Sequence, residues 1–402
     1  MAPRTDLTRL DDLVASPFAR LAELLHGIEP GADAIDLSLG EPRAMLPSFV
    51  GPILERHLGL FGRYPPIRGL PELRQAIVLW LGRRYPSLAG KIEADTQVLP
   101  LNGSREGLFS AIFPALARRD RALGPAVLIP NPFYQAYAAA AAAAGAEPVF
   151  LDSAGAHGFL PDLEATDRGI LERTVALYLC SPSNPQGAVA DRAYLAKAIG
   201  LARQHDFMLF VDECYSEIYG DNPPPGALET AFAGDGSFAN VLSFQSLSKR
   251  SGMPGLRSGF VAGDPGFLAA FARFRNVACP QVPLPIQHVS VAAWSDEAHV
   301  AAGRALYRRN FDLAGEVLQG RYGFRRPGGG FFLWLDMAAH GGGESCAKTL
   351  WKGCGVKLLP GTYLARIGAT GANPGENHVR VALVHDAATT GEALARIVAT
   401  LG

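Results

Sequence analysis

The sequence contains few of the features that mark secreted, metal-binding or nucleic-acid-binding proteins. Its five cysteines are odd in number and lack CxxC spacing, which argues against a disulfide framework and against a structural zinc site. Lys and Arg (37 residues) balance Asp and Glu (38), so no strong electric field attracts nucleic acid or anionic lipid. We therefore expect a protein of a reducing cytoplasm without nucleic-acid or membrane partners.

Long uncharged hydrophobic runs are also missing. The N-terminal segment interrupts its apolar residues with charges such as Arg4 and Asp11, so we expect no signal peptide there. Gly145 and Glu147 end the alanine-rich stretch before it reaches the about 20 apolar residues that a membrane span needs. Alanine favours helix, so this stretch is predicted to be a helix that lies on a sheet.

Several catalytic signatures are absent. The nine histidines show no HExxH or other ligand spacing, so we expect no metal. Neither GxSxG nor GxGxxG follows a predicted strand, which argues against a hydrolase elbow and a dinucleotide site.

What the chain does contain is an alternation of short apolar runs and helical stretches. With 402 residues and 48% hydrophobic content, it can bury a large core. The alternation is typical of an α/β fold in which helices cover both faces of a mostly parallel sheet. The runs are QVLPL, AVLIP, VALYLC, FMLFV, NVLSF and GFVAG.

The pattern changes after Pro285. Residues Gln287 to Leu318 are predicted to form one long helix, and short strands follow it. We predict a large domain over residues 47–284. Residues 1–46 and 285–402 are predicted to form a smaller α+β domain.

Unusual polar residues follow five of the apolar runs. Because ligands bind outside the carboxyl ends of parallel strands, we expect these five segments to meet at one edge of the sheet. The segments are NGSREG, NPFY, SPSNPQG, DECYSEIY and QSLSK.

Two of these segments suit an anion. Residues 103–105 open a helix directly after a strand, which is either an anion site or an ordinary turn. Ser246 and Ser248 add hydroxyl donors, and Arg257 adds a guanidinium of the fork geometry that phosphate prefers.

Two more residues suit a charged heterocycle. Asp212 ends an apolar strand, where a carboxylate is costly unless it contacts a cation or caps a helix. Lys249 lies among serines after another apolar strand. Pyridoxal phosphate requires an anion site, a carboxylate for its pyridine nitrogen, donors for its phenolate oxygen and a lysine for its aldehyde. The combined set therefore predicts this cofactor.

The same motifs, with SLSKxxxxPGLRSG and HVRVAL, run in order along nearly the whole chain and resemble fold-type I, class I/II aminotransferases. The resemblance implies that Lys249 carries the aldehyde and that Asp212 pairs with the ring nitrogen. It also implies that Tyr134 stacks on the ring while Asn184 and Tyr215 contact the phenolate oxygen. The implied phosphate ligands are Gly103, Ser104, Arg105, Ser246, Ser248 and Arg257.

The resemblance also implies a substrate site and a partner. Arg380 would bind the substrate α-carboxylate together with Asn184, and Gly40 would offer its backbone N–H. Tyr64 resembles a tyrosine that reaches the phosphate site of a neighbouring subunit, which implies a homodimer with shared active sites.

Longer stretches, among them RYPPIRGLPELRQAI and SLSKRSGMPGLRSGFVAGD, are similar to bacterial N-succinyldiaminopimelate aminotransferases of lysine and diaminopimelate synthesis. That resemblance implies amino-group exchange between L-glutamate and N-succinyl-2-amino-6-oxopimelate, with Arg43 and Arg68 as candidate readers of a distal carboxylate. An aminotransferase for aspartate, aromatic amino acids or alanine, or a β-lyase, remains open. A non-enzymatic regulator is disfavoured because no DNA-binding region is appended and the net charge is -1.

Overall fold

The computed structural model describes residues 15–43, 45–120, 123–368 and 371–402; the charged segment with Arg4 and Asp11 lies outside them. The strands are β1 (Ile35–Asp36), β2 (Val98–Leu101), β3 (Ala126–Asn131), β4 (Glu147–Asp152), β5 (Thr174–Cys180), β6 (Met208–Asp212), β7 (Val241–Ser246), β8 (Gly259–Gly263), β9 (Phe332–Asp336), β10 (Val356–Lys357), β11 (Leu359–Pro360) and β12 (His378–Ala382).

Helices connect most of these strands. The α-helices are α1 (Pro17–Leu24), α2 (Val50–His57), α3 (Pro71–Arg84), α4 (Ala94–Gln97), α5 (Ser104–Ser110), α6 (Ile112–Leu116), α7 (Gln135–Ala144), α8 (Arg168–Arg173), α9 (Arg192–Gln204), α10 (Ala227–Asp235), α11 (Leu247–Arg250), α12 (Pro265–Ala278), α13 (Leu284–Ser295), α14 (Ala298–Leu318), α15 (Gly342–Cys354) and α16 (Ala387–Leu401). Within the described ranges, no helix is long and apolar enough to cross a membrane.

A seven-stranded sheet with the order β2-β8-β7-β6-β5-β3-β4 forms the centre of the fold. The pairs from β7 to β4 are all parallel, whereas β8 runs antiparallel to both of its neighbours. The predicted mostly parallel α/β sheet is therefore confirmed. The sequence reading missed β4, an edge strand that starts with Glu147 and Pro148 and lacks the fully buried apolar run of its neighbours.

Successive residues of the central strands enter two different cores. Leu177 of β5 belongs to one apolar cluster, and Tyr178 belongs to the cluster on the opposite face. This alternation has the two-residue period of a strand and explains why the strand carries apolar residues at every position. The alanine-rich helix α7 packs into the second core through Ala138 and Ala141, as predicted.

A second group of elements surrounds a smaller antiparallel sheet with the order β11-β12-β9. The N-terminal strand β1 pairs in parallel with β10, so segments from both ends of the chain share this region. Leu37, Leu333 and Leu394 belong to its apolar core. The domain boundaries given above stay a prediction.

The predicted single helix from Gln287 to Leu318 was wrong. The chain forms two helices, α13 and α14, because Asp296 adopts an extended conformation with φ -98° and ψ 129°. The Asp296 carboxylate accepts a hydrogen bond from the backbone N–H of His299, 3.1 Å away. An Asp side chain that bonds nearby backbone competes with helix continuation, which the apolar periodicity alone does not reveal.

Candidate active site

The five polar segments meet, as expected, in one cavity of about 320 Å³ at the carboxyl ends of the parallel strands. Two of the predicted site residues are not part of its lining. Gly103 is buried beneath Arg257, and Tyr64 is fully exposed on the surface of the chain. The predicted residues that line the cavity are Gly40, Ser104, Arg105, Tyr134, Asn184, Asp212, Tyr215, Ser246, Ser248, Lys249, Arg257 and Arg380.

Lys249 is the third residue of the one-turn helix α11, which begins where the Ser246 hydroxyl caps the N–H of Ser248 at 3.1 Å. Its Nζ donates a hydrogen bond to the carbonyl of Gly40 at 2.5 Å. Burial, together with the positive charge of Arg380, lowers the pKa of Lys249 to about 8. A lysine with a lowered pKa supplies the neutral amine that attacks an aldehyde.

Asp212 ends β6 and is only 5% exposed. Its Oδ2 accepts a hydrogen bond from the Tyr137 hydroxyl at 2.7 Å, and its Oδ1 accepts one from the Cys214 N–H at 3.2 Å. Burial raises the pKa of Asp212, and these hydrogen bonds oppose that shift. A buried carboxylate on a cavity wall, in no ion pair with the residues described, is suited to stabilise a cationic ligand atom.

One end of the cavity is suited to an anion. Arg257 has a left-handed backbone conformation with φ 54°, and Gly103 beside it has φ 82°. A Cβ atom at Gly103 would lie 2.2 Å from Nη2 of Arg257, so only glycine lets the guanidinium lie there. The Ser104 hydroxyl lies nearby in the lining, 3.0 Å from Sγ of Cys214. A guanidinium with neighbouring hydroxyls is a typical phosphate site.

Tyr134 and Arg105 form the wall next to this end. Nε of Arg105 donates a hydrogen bond to the Tyr134 hydroxyl, which fixes the guanidinium near the ring. The side chain of Arg105 is exposed at the mouth of the cavity. Its Nη atoms make no ion pair within the described ranges, so they are available to a ligand that enters from the mouth.

Arg380 lies on β12, lines the same cavity as Lys249 and is only 4% exposed. Its Nη1 donates to Oδ1 of Asn184 at 3.1 Å and its Nη2 to the carbonyl of Ser38 at 2.7 Å, while Nε has no partner in the described part of the chain. Burial lowers the pKa of Arg380 to about 10. A buried guanidinium with an unused donor and no carboxylate partner among described residues indicates a site for a ligand carboxylate.

Tyr215 and Asn184 point their polar atoms into the same space. Burial raises the pKa of Tyr215 well above its usual value, so its hydroxyl stays protonated and can donate. The ring packs edge-on against Phe331, with centroids 5.4 Å apart. Because the amide oxygen of Asn184 accepts from Arg380, the amide NH₂ is the group left for a ligand.

Some lining residues were not predicted. Glu41 follows Gly40, and Cys214 lies two residues after Asp212. Their position next to predicted site residues was the only sequence signal that either lines the cavity. The two arginine candidates for a distal carboxylate do not line this cavity. Nη1 of Arg43 lies 3.2 Å from Nδ1 of His385, and Arg68 donates to the carbonyl of Asp95 at 2.7 Å.

The donor set fits pyridoxal phosphate on structural grounds. The cavity combines a guanidinium-and-hydroxyl end, a buried carboxylate at a strand end, and a lysine whose amine loses its proton readily. Lys249 would carry the aldehyde, Asp212 would face the ring nitrogen, and Arg257 would hold the phosphate. The buried Arg380 remains free for a substrate carboxylate.

Comparison with known proteins gives consistent results. The family model described as aminotransferase class I and II matches residues 32–397. A solved aminotransferase from Neisseria meningitidis is 40% identical, with a TM-score of 0.92 and coverage of 98% of each chain. The LL-diaminopimelate aminotransferase of Desulforudis audaxviator is 29% identical over 98% of this chain and 97% of its own length. A probable N-succinyldiaminopimelate aminotransferase from Thermus thermophilus is 26% identical, with a TM-score of 0.83, over 96% of this chain and 100% of that one.

Proposed function

Because the chain belongs to the class I and II aminotransferases, which use pyridoxal phosphate to exchange an amino group between an amino acid and a 2-oxo acid, we propose that its substrates are L-glutamate and N-succinyl-2-amino-6-oxopimelate. The observation that carries this proposal is the presence of two further arginines in the cavity, besides Lys249 and the phosphate-binding Arg257. Arg380 is buried and lacks a carboxylate partner among the described residues. Arg105, which the sequence assigned to the phosphate, is exposed at the mouth, and we propose that it contacts the distal carboxylate instead. A substrate with an α-carboxylate and a distal carboxylate matches both.

The residues divide the chemistry between them. When bound, the cofactor withdraws electrons from the bonds at the substrate Cα. Asp212 would hold the ring nitrogen protonated, and Tyr215 would donate a hydrogen bond to the phenolate oxygen. Lys249 moves the proton at the substrate Cα, since its amine is poised between its two protonation states. Arg380 orients the α-carboxylate so that the Cα–H bond faces that amine.

Unacylated LL-diaminopimelate is a second candidate, and Glu41 favours it. The Glu41 carboxylate lines the cavity and forms no hydrogen bond or ion pair with any residue the structure describes. The distal end of diaminopimelate carries an ammonium group, which a carboxylate attracts, whereas acylation converts that nitrogen into a neutral amide. The names of several relatives near 30% identity agree with this alternative.

A substrate panel tests both proposals. The cofactor-loaded enzyme is assayed with 2-oxoglutarate and, in turn, N-succinyl-LL-diaminopimelate, LL-diaminopimelate, aspartate, alanine and an aromatic amino acid. We expect the highest kcat/KM with the succinylated substrate. Preference for LL-diaminopimelate, lost in Glu41→Gln but retained in the exposed control Glu55→Gln, would establish the second candidate. Preference for aspartate or an aromatic amino acid overturns both.

The β-lyase alternative has its own test. A lyase releases pyruvate from cystathionine without a 2-oxo acid, whereas a transaminase changes the absorption of its bound cofactor when glutamate is added alone. We expect the absorption change and no pyruvate.

We also propose a homodimer with shared active sites. Tyr64 is 100% exposed in the single chain, and Leu58, Phe61 and Leu79 are each more than half exposed. Large apolar side chains exposed in this number are typical of a surface that another chain covers. Tyr64 would then bring its hydroxyl to the phosphate end of the second cavity.

A further inference from the structure

A series of hydrogen bonds through Ser251, His299 and Asp296 anchors the helix that carries Lys249. The Ser251 hydroxyl lies 2.8 Å from Nε2 of His299. Nδ1 of the same ring lies 2.5 Å from Oδ2 of Asp296. Ser251 is only 5% exposed, so its hydroxyl depends on these protein partners.

The partners determine which atom carries the proton. Hydrogen bonds from His299 lower the pKa of Asp296, so its carboxylate is ionised and accepts from Nδ1–H. Nε2 of His299 is then the acceptor for the Ser251 O–H. Nη1 of Arg250 lies 3.4 Å from the Ser251 oxygen and donates to it, which leaves the hydroxyl proton for His299.

The order of groups is that of a Ser-His-Asp hydrolase, but the space beside them excludes that chemistry. The cavity that Ser251 and His299 line has a volume of about 20 Å³. This volume holds about one water molecule and no acyl substrate. These hydrogen bonds must therefore act through their position in the fold.

That position links the Lys249 helix to the break between α13 and α14. Ser251 directly follows α11, and its N–H donates to the carbonyl of Leu247 at 3.1 Å. Arg250 donates to the carbonyl of Ala293 and to Oε1 of Glu297, each at 2.6 Å. A helix of four residues has too few internal hydrogen bonds to hold its own geometry, so these external contacts keep it in place.

We propose that Ser251 and His299, oriented by Asp296, are positioning residues that hold Lys249 at the reacting atoms. This proposal rests on the proposed role of Lys249. Among the described residues, the charged groups around His299 are Asp296 and Glu297 at the helix break and Arg250 on α11, while the Phe49 ring packs edge-on 5.7 Å away. Lys249, Glu217 and Arg304 line the same small cavity as His299. Burial lowers the pKa of His299, so the ring is neutral at pH 7 and becomes protonated only on acidification. A protonated ring cannot accept the Ser251 proton, and the link to α11 weakens.

The test uses cofactor-loaded enzyme and the variants Ser251→Ala and His299→Gln. We expect kcat to fall about fivefold to tenfold, the effect of one lost hydrogen bond, with KM for glutamate nearly unchanged. The pH midpoint of the absorption of the bound cofactor should shift by about half a unit. Ser251→Thr keeps the hydroxyl and should restore both values. His299→Gln should also lose the acid-side decrease of kcat.

Matched controls remove a hydroxyl and an imidazole elsewhere. Ser295→Ala removes an exposed hydroxyl that bonds the Val291 carbonyl of its own helix, and His26→Gln removes an exposed ring. Asp296→Asn, at a side chain that is 39% exposed, removes the orienting charge without emptying a core position and should shift the midpoint in the same direction. Unchanged kcat and midpoint in Ser251→Ala, or in Asp296→Asn if Ser251→Ala does not fold, overturn the proposal. Borohydride trapping at a lysine other than Lys249 instead overturns the proposed function.

Discussion

Lys249 is poised to lose its proton because of where its amine lies. Its amine donates to the neutral carbonyl of Gly40, and the positively charged Arg380 lines the same cavity. Burial and that charge both disfavour the ammonium form, which explains why its pKa is lowered from 10.5 to about 8.

We predict that cofactor-free enzyme captures pyridoxal phosphate at a rate that rises with pH through a midpoint of about 8. The neutral amine is the nucleophile, so the rate follows the deprotonated fraction of a group whose pKa is lowered. Stopped-flow absorbance over a pH series measures it, and borohydride trapping followed by peptide mapping assigns the residue. A midpoint near the ordinary lysine value of 10.5 would contradict the prediction.

Arg380 is predicted to be needed by every substrate, because all of them carry an α-carboxylate. Replacing it by Gln removes two charge-assisted hydrogen bonds worth about 1.5 to 3 kcal/mol each, so kcat/KM should fall at least about 100-fold. The same change should raise the pKa of Lys249, since a nearby positive charge is lost. Kinetics with glutamate and with the acyl substrate provide the measurement. Arg168→Gln, at an exposed side chain, is the control, and a loss confined to one substrate would disprove a common role.

At the scale of elements, the short helix α5 is held by a buried ion pair. Glu106 accepts from Nε and Nη2 of Arg275 at 3.0 and 2.7 Å, and the Arg275 side chain is 0% exposed. Arg275 also donates to the carbonyl of Pro100 on β2 at 3.0 Å. Arg275 thus joins α12 to both β2 and α5, and Gly103 lies between these two elements.

We predict that Arg275→Met lowers the free energy of unfolding by about 3 kcal/mol, because Glu106 is left as a half-buried charge without its partner. Cofactor affinity should fall as well, since Ser104 and Arg105 begin the same helix. Thermal unfolding and cofactor titration measure the two effects. Arg168→Met, which breaks an exposed pair with Glu172, should change stability by no more than about 0.5 kcal/mol. Equal effects of the two variants would show that the buried pair has no special role.

At the scale of the whole molecule, Tyr64 is fully exposed and does not line the cavity of its own chain. If two chains share active sites, Tyr64→Ala should weaken cofactor binding about tenfold through the loss of a hydroxyl contact to phosphate. Light scattering should give twice the mass of one chain.

A mixing experiment tests the sharing directly. Lys249→Ala and Tyr64→Ala chains, unfolded and refolded together, should regain activity above either variant alone, because one site of each hybrid dimer receives both native residues. Mixtures that show only the average of the two parents would contradict shared sites.

The sequence by itself determined the strands of the central sheet other than β4, and the grouping of the polar site residues. Parallel strands bury both faces, so their apolar runs are visible in the sequence, and their carboxyl ends lie at one edge whatever the loops do. Lys249, Asp212 and Asn184 were therefore predictable as cavity residues, and the structure places them there.

Only the tertiary structure decided the features that depend on contacts between distant segments. Gly103 packs against the Arg257 guanidinium, and the Arg105 side chain is exposed at the mouth of the cavity. The break at Asp296 and its link to Ser251 were also hidden, because a single carboxylate ended a helix whose apolar pattern continued. Sequence patterns report which face of an element is apolar, whereas side-chain direction and long-range partners are decided when the elements pack.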